Sequence, residues 1–156
     1  YLLRHADRVT ATDVSERALA FTAFNAALAA VGPDRLELLA GSLLEPVAGR
    51  RFDLIVSNPP YIAAHDHHLQ QGDLRFEPPQ ALAAGPDGLD DLRILIGGAP
   101  AHLTPGGWLL LEHGYDQEAP VQALLRDAGF ADVFTRRDLA GQPRVSGGRW
   151  LGDGRK

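Results

Sequence analysis

Phe52-Asp53-Leu54-Ile55-Val56-Ser57-Asn58-Pro59-Pro60-Tyr61 decides how this chain folds. Its first five residues are an apolar run of strand length, the pattern of a strand buried in a parallel sheet. Two consecutive prolines cannot continue a central strand, because each lacks an N–H and fixes φ. The chain must therefore leave the sheet at Asn58 in a rigid, extended turn. In an open α/β sheet, ligands bind outside the carboxyl ends of the strands. Asn58 to Tyr61 thus puts an amide side chain, uncommitted carbonyls and an aromatic ring where a substrate would sit. The plainer account is a proline-stiffened loop with an incidental tyrosine, and the buried strand before it weighs against that.

The residue types suggest a chemistry. The Asn58 side-chain carbonyl and the Pro59 backbone carbonyl are two acceptors held by the prolines. Together they suit a planar –NH2 group, which has two hydrogens to donate. Gripping both turns the nitrogen lone pair toward an electrophile, and the Tyr61 ring can stack on a flat amide or base. The expected reaction is alkylation of an amide or exocyclic amine, with positioning supplying much of the rate. No strong base is needed before attack, because the nitrogen loses its proton only after becoming positively charged.

Working outward, Arg8 to Asp13 reads as a short strand ending on an acid. Ser15 is a plausible N-cap with Glu16 in the first turn, and Phe21, Phe24, Leu28 and Val31 follow at helical spacing before Gly32-Pro33. Leu36 to Leu39 is a second strand and Phe52 to Val56 a third, so the spacing argues a parallel α/β sheet. Residues 62–86 read as a long irregular loop, a length that is usually functional. A helix is expected over Gly88 to Leu103, kinked or broken by Gly97-Gly98 and Pro100. Thr104 to Gly107 reads as a tight turn and Trp108 to Glu112 as a buried strand. Val121, Leu124, Leu125 and Ala128 mark an amphipathic helix stopped by Gly129. Val133 to Arg136 and Arg144 to Trp150 read as a hairpin-like pair, turning near Ala140 to Pro143. The first residues, Tyr1 to Ala6, read as the tail of a helix, and Gly152 to Lys156 as a frayed end.

Composition bounds the function. The chain has 156 residues, 45% hydrophobic and 22% charged, as in one ordinary globular domain. A net charge of −5 and a pI near 5.6 weigh against a large nucleic-acid footprint. No apolar run is long enough to span a bilayer and no signal peptide is evident, so a cytoplasmic protein is expected. The absence of cysteine excludes disulfides, thiolate zinc sites and a cysteine nucleophile. The chain starts on Tyr1 and contains no methionine, which predicts a fragment or a processed chain. His65, Asp66, His67 and His68 lack the spacing of a strong metal site and fit a polar loop better. No nucleophile elbow occurs, and Gly106-Gly107 and Gly147-Gly148 read as turn glycines rather than phosphate loops.

Asp13 stands where nucleotide-binding α/β domains hold a ribose-binding acid; the equal alternative is a helix-capping role near Ser15. Ser42-Leu43, after the second strand, offers a hydroxyl and an apolar side chain suited to an adenine edge and face.

Asn58-Pro59-Pro60-Tyr61 behind its strand resembles the catalytic motif of class I methyltransferases that act on planar nitrogens. Further runs narrow the resemblance to the HemK/PrmC family. These are His68-Leu69-Gln70-Gln71-Gly72-Asp73-Leu74-Arg75-Phe76-Glu77-Pro78, Ala81-Leu82, Asp87-Gly88-Leu89, Leu109 to Tyr115, Asp138 and Arg144-Val145. Enzymes of this family use S-adenosylmethionine to methylate the glutamine amide of the Gly-Gly-Gln motif in peptide chain release factors. The resemblance implies a Rossmann-like α/β sheet, mostly parallel with an antiparallel C-terminal strand. It spans Val9 to Trp150, so a catalytic domain is expected over residues 1–151 and a tail over 152–156. It also implies that a central first strand, a glycine-rich loop and an N-terminal helical domain precede what this chain carries. Without them, the chain alone is expected to be destabilised and to bind cofactor weakly or not at all.

By the same resemblance, Asp13 would bind the cofactor ribose, and Ser42 and Leu43 would line the adenine pocket. Asn58, Pro59, Pro60 and Tyr61 would hold the target amide, with Asn58 also facing the cofactor. Arg75 and Glu77 would order the adjoining loop or touch the release factor, and His113 is structural. The expected partner is a release factor, met by a monomer without membrane or direct nucleic-acid contacts. An amino-methyltransferase acting on adenine or another base, or an inactive fragment, are the alternatives.

Overall fold

The computed structural model describes residues 2–61 and 85–153. They fall into two compact units, Tyr1–Ala48 and Gly49–Lys156.

In the first unit, β1 (Val9–Asp13) pairs in parallel with β2 (Leu36–Ala40), with Val9 opposite Leu36 and Asp13 opposite Ala40. Helix α1 (Glu16–Leu28) crosses between them. Its N-cap is Ser15, as expected, and the Ala18 N–H donates to Ser15 Oγ at 3.2 Å. Val31 lies beyond the helix rather than on it. Ala30 takes a positive φ of 53°, and the Val31 N–H reaches back to Ala26 O, which closes the helix before the glycine. The expected apolar stripe forms but is not buried among the described residues. Phe21, Phe24 and Leu28 are 57%, 62% and 73% exposed. The anticipated N-terminal helix tail is one 3-10 turn, Leu2–Arg4, and the Arg35 guanidinium ties its exit by donating to Leu3 O and Ala6 O.

The second unit is a four-stranded sheet in the order β3-β4-β6-β5. Strands β3 (Phe52–Ser57) and β4 (Leu103–Glu112) are parallel, and β6 (Pro143–Arg149) is antiparallel to both β4 and β5 (Ala131–Arg137). The antiparallel C-terminal strand is thus present as expected. Helices α2 (Asp90–His102) and α3 (Glu118–Asp127) supply Leu92, Leu95, Ile96, Ala99, Val121 and Leu125 to the core, where Leu103, Leu109 and Leu111 are also buried. Fully burying a side chain of this size contributes about 1.5–3 kcal/mol.

Four expectations are corrected. The first concerns α2, which begins at Asp90 and runs without a break through Gly97, Gly98 and Pro100. Its buried residues recur at helical spacing, and Pro100 sits in the last turn, where the lost hydrogen bond disturbs little. Second, Thr104 to Gly107 is not a separate turn but an irregularity inside β4. Phe52 pairs with Leu103 and Leu54 with Trp108, so β4 carries extra residues there. The chain after β6 takes up their backbone groups: the Gly106 N–H donates to Trp150 O at 2.6 Å and the Trp150 N–H to Gly107 O at 2.8 Å.

Third, Gly147 and Gly148 lie within β6, not in a turn. Fourth, β3 is buried on one face only and ends the sheet. Ile55 is buried, whereas Leu54 and Val56 are 43% and 49% exposed, because no described element covers their face. Among the described residues, a strand apolar on both faces therefore sits at the edge of its four-stranded sheet.

The turn between β5 and β6 is where Ala140 to Pro143 predicted it. Asp138 Oδ1 accepts the Ala140 and Gln142 amides, both at 2.9 Å. The Gln142 amide first, and the Ala140 amide and Arg144 after it, hold this carboxyl below its ordinary value. No helix among the described residues is long and apolar enough to cross a membrane.

Candidate active site

Strand β3 delivers Asn58 to the carboxyl end of the sheet, where the prolines force the chain out. Asn58 is exposed, Pro59 is buried, and Pro60 and Tyr61 are half-buried, so the proline anchors a loop that presents the amide. No described residue hydrogen-bonds the Asn58 side chain. Beside it lies a cavity of about 310 Å³ lined by Val56, Ser57, Asn58, Leu110, Glu112 and Val145. Its walls follow from strand register, since Val56 faces Leu110 across β3–β4 and Glu112 faces Val145 across β4–β6. Apolar side chains form most of the lining. The Ser57 hydroxyl, the Asn58 amide and the Glu112 carboxylate are its polar groups.

The loop's exit is tied down. The Tyr61 carbonyl accepts a hydrogen bond from Gln117 Nε2 at 3.0 Å, and the same amide lies 3.3 Å from Asp87 O and 3.4 Å from Gly88 O. Gln117 Oε1 in turn accepts the Gly114 N–H at 2.9 Å. Gln117 is 7% exposed and sits immediately before α3. The neighbouring Asp87 carboxylate bonds Arg93 and the Leu89 N–H. Hydrogen bonding from the Arg93 guanidinium, the larger cause, keeps this carboxyl below its usual range.

His113 is fully buried. Its Nδ1 lies 2.7 Å from Gly114 O and its Nε2 2.7 Å from Ser146 Oγ, in keeping with a structural role.

In the unit Tyr1–Ala48, Asp13 and Ser42-Leu43 come together at the carboxyl ends of neighbouring parallel strands. The Gly41 N–H donates to Asp13 O at 3.0 Å, and the Thr12 hydroxyl donates to Leu43 O at 2.9 Å. Leu43 has a positive φ of 46°, which that hydrogen bond helps to hold. Asp13 Oδ1 accepts the Ser15 N–H at 2.8 Å, so the residue does cap the turn into α1. Among the described residues, its Oδ2 carries no partner. Arg75 and Glu77, and the histidines at 65, 67 and 68, lie outside the described residues. Among those described, no cluster of three metal-ligating side chains occurs.

Gln117 was not legible as a site residue, although one signal marked it. It precedes the periodic Val121-Leu124-Leu125 run at a capping position that glutamine seldom fills, and its side chain makes no cap hydrogen bond there. Its side chain is committed elsewhere. Glu112 was visible as a strand end but not as a cavity wall.

Comparison with known proteins places this geometry. A family model for the methyltransferase small domain matches residues 2–77. A release factor glutamine methyltransferase of Xylella fastidiosa is 57% identical over 93% of this chain and 52% of its own length. Those of Bordetella pertussis and Pseudomonas aeruginosa are 53% and 50% identical over 90% and 91% of the chain, and 51% of their own lengths. The chain thus spans about half the length of the curated relatives it matches.

Among solved structures, a methyltransferase from Pyrococcus furiosus superposes with a TM-score of 0.66 at 22% identity, covering 93% of this chain and 63% of that one. A ribosomal protein L11 methylase from Lactobacillus delbrueckii superposes with a TM-score of 0.64 at 26% identity, covering 93% and 59%. Over most of its length the chain is thus similar in sequence to release factor glutamine methyltransferases, and its fold is that of a methyltransferase.

Proposed function

We propose that this chain carries the acceptor side of an S-adenosylmethionine-dependent methyltransferase, acting on the glutamine side-chain amide of the Gly-Gly-Gln motif in peptide chain release factors. One observation carries the reading. An Asn58 amide with no hydrogen-bond partner among the described residues projects from a proline-anchored strand end beside a cavity wide enough for a side chain.

In this reading, the Asn58 side-chain carbonyl and the Pro59 carbonyl accept the two N–H bonds of the target amide. The Pro60 ring stiffens the segment and Tyr61 stacks against the amide plane. Fixing both hydrogens directs the nitrogen lone pair and removes orientational freedom before reaction. Bound S-adenosylmethionine would supply the electrophilic methyl group. Asp13, with one carboxylate oxygen open among the described residues, fits a ribose hydroxyl pair, and Ser42 with Leu43 fits an adenine edge and face. Asn58 serves the donor as well as the acceptor, and Arg75 and Glu77 contact the release factor or order the segment they occupy. Both units then belong to one catalytic domain, ending near residue 151, of a cytoplasmic, monomeric enzyme.

The experiment uses a chimaera in which the N-terminal half of the Xylella fastidiosa relative precedes this chain. It is offered a release factor, a ribosomal protein and DNA in parallel with labelled S-adenosylmethionine. Label on the Gly-Gly-Gln glutamine is the expected result. Label on DNA would favour a base methyltransferase, and no label on any acceptor would sink both readings.

A further inference from the structure

We propose that Gln117 is a positioning residue for the proposed methyl transfer, latching the exit of Asn58–Tyr61. The inference rests on the functional reading above and adds to it a residue that never meets the substrate.

The prolines leave one weak point in the motif. Pro59 and Pro60 fix their own φ angles, whereas both dihedrals of Tyr61 remain soft. Gln117 closes the loop at that residue, through the Tyr61 carbonyl at 3.0 Å. The same Nε2 draws in Asp87 O and Gly88 O, so one –NH2 group gathers carbonyls from two segments.

The partners also fix how the amide points. Tyr61 O, Asp87 O and Gly88 O can only accept, and the Gly114 N–H on the far side can only donate. Flipping the amide would set oxygen against three carbonyls and strand a buried N–H. Every polar atom of Gln117 is therefore committed, inside a site where 7% of the residue is exposed.

A second residue keeps the site open. Gly88 has a φ of 72°, and a Cβ there would collide with the Tyr61 carbonyl and stand 2.8 Å from Gln117 Nε2. The turn at Asp87-Gly88 is thus shaped to leave room for the latch. Loss of the latch frees Tyr61 to rotate its carbonyl and ring. Asn58 stays in place, but the target amide loses the surface that aligns it.

The test uses the chimaera and its Gln117→Leu, Gln117→Glu and Gly88→Ala variants, each assayed well below its measured Tm. For Gln117→Leu the expected result is a fall in kcat of about 10- to 100-fold, the cost of ångström-scale misplacement. S-adenosylmethionine affinity should stay within about twofold, since the latch does not bear on the donor pocket. Gly88→Ala should shift kcat in the same direction.

Gln117→Glu guards against simple misfolding. When protonated, its carboxyl offers one O–H to Tyr61 O and one acceptor to the Gly114 N–H, so its kcat should recover as pH falls while the parent's does not. Amide exchange gives a readout free of turnover, with the Gly114 N–H protected in the parent and fast in Gln117→Leu. Unchanged kcat in Gln117→Leu, a loss confined to KM, or a Gln117→Glu pH profile matching the parent would overturn the role. An inactive parent would overturn the functional reading and this role with it, whereas an active parent with unaffected variants overturns the role alone.

Discussion

His113 Nε2 lies 2.7 Å from Ser146 Oγ, with both residues fully buried. The direction of this bond follows from its neighbours. Gly114 O can only accept, so Nδ1 carries the ring proton and, in the neutral ring, Nε2 accepts from the Ser146 hydroxyl. Ser146 Oγ then accepts from the Thr135 hydroxyl at 2.7 Å, and Thr135 Oγ1 accepts from Gln122 Nε2 at 2.8 Å. The chain of donors runs from α3 through β5 and β6 to the end of β4. Ser146→Ala should leave buried His113 Nε2 without a donor and destabilise the protein by about 1–3 kcal/mol. Urea unfolding with an unchanged m-value measures it; a change under a few tenths of a kcal/mol would mean that the chain of bonds contributes nothing net.

Asn58 makes no protein hydrogen bond among the described residues, so its removal should cost the fold little. Asn58→Ala in the chimaera is expected to lower methyl transfer by about a hundredfold or more, the scale for losing one preorganised polar group at a reacting centre. Donor affinity, read by calorimetry, should change far less. Transfer that survives the substitution would show that the amide is held by other groups.

Asp138 supplies a pH dependence of known sign. Its folded-state carboxyl is held below the ordinary 3.8, first by the Gln142 amide, then also by the Ala140 amide and Arg144. A depressed carboxyl contributes stability that is fully present above its unfolded value and fades as pH falls through the folded one. The gap in Tm between the parent and Asp138→Asn should therefore be constant above about pH 5 and close below about pH 4. A gap that persists undiminished to pH 2 would assign the difference to turn geometry rather than charge.

The parts of the fold legible in sequence were those where local and tertiary demands agree. The course of Phe52 to Tyr61 was one, although not its burial on both faces: the strand-length run and the double proline place the strand and its exit at Asn58. The turn at Ala140 to Pro143 was another, because Asp138 bonds only residues within a few positions of itself. Where tertiary partners decide, local signals misled. Gly97, Gly98 and Pro100 read as a break, but Leu92, Leu95, Ile96 and Ala99 hold α2 against the sheet. Thr104 to Gly107 read as a turn, but the residues after β6 satisfy its backbone. Gln117 was opaque for the same reason, since its partners at 61, 87 and 88 are distant in sequence.

Two glycines that look alike in sequence should respond oppositely to alanine. Gly147 lies inside β6, opposite Leu110 on one side and Phe134 on the other. A Cβ there would meet Leu109 O at 2.7 Å, the Leu110 side chain at 2.6 Å and Phe134 at 3.2 Å. The backbone oxygen cannot move without spreading β4 from β6, so Gly147→Ala should cost about 1–3 kcal/mol. Gly97 sits on the exposed side of α2, and a Cβ there meets nothing within 4 Å. Replacing it only removes the entropy penalty of glycine in a helix, so Gly97→Ala should stabilise by about 0.5–1 kcal/mol. Thermal unfolding of both variants beside the parent should move Tm in opposite directions. If both fell, α2 would need its glycine for a reason other than space; if both rose, the β4–β6 ladder would be more compliant than its register implies.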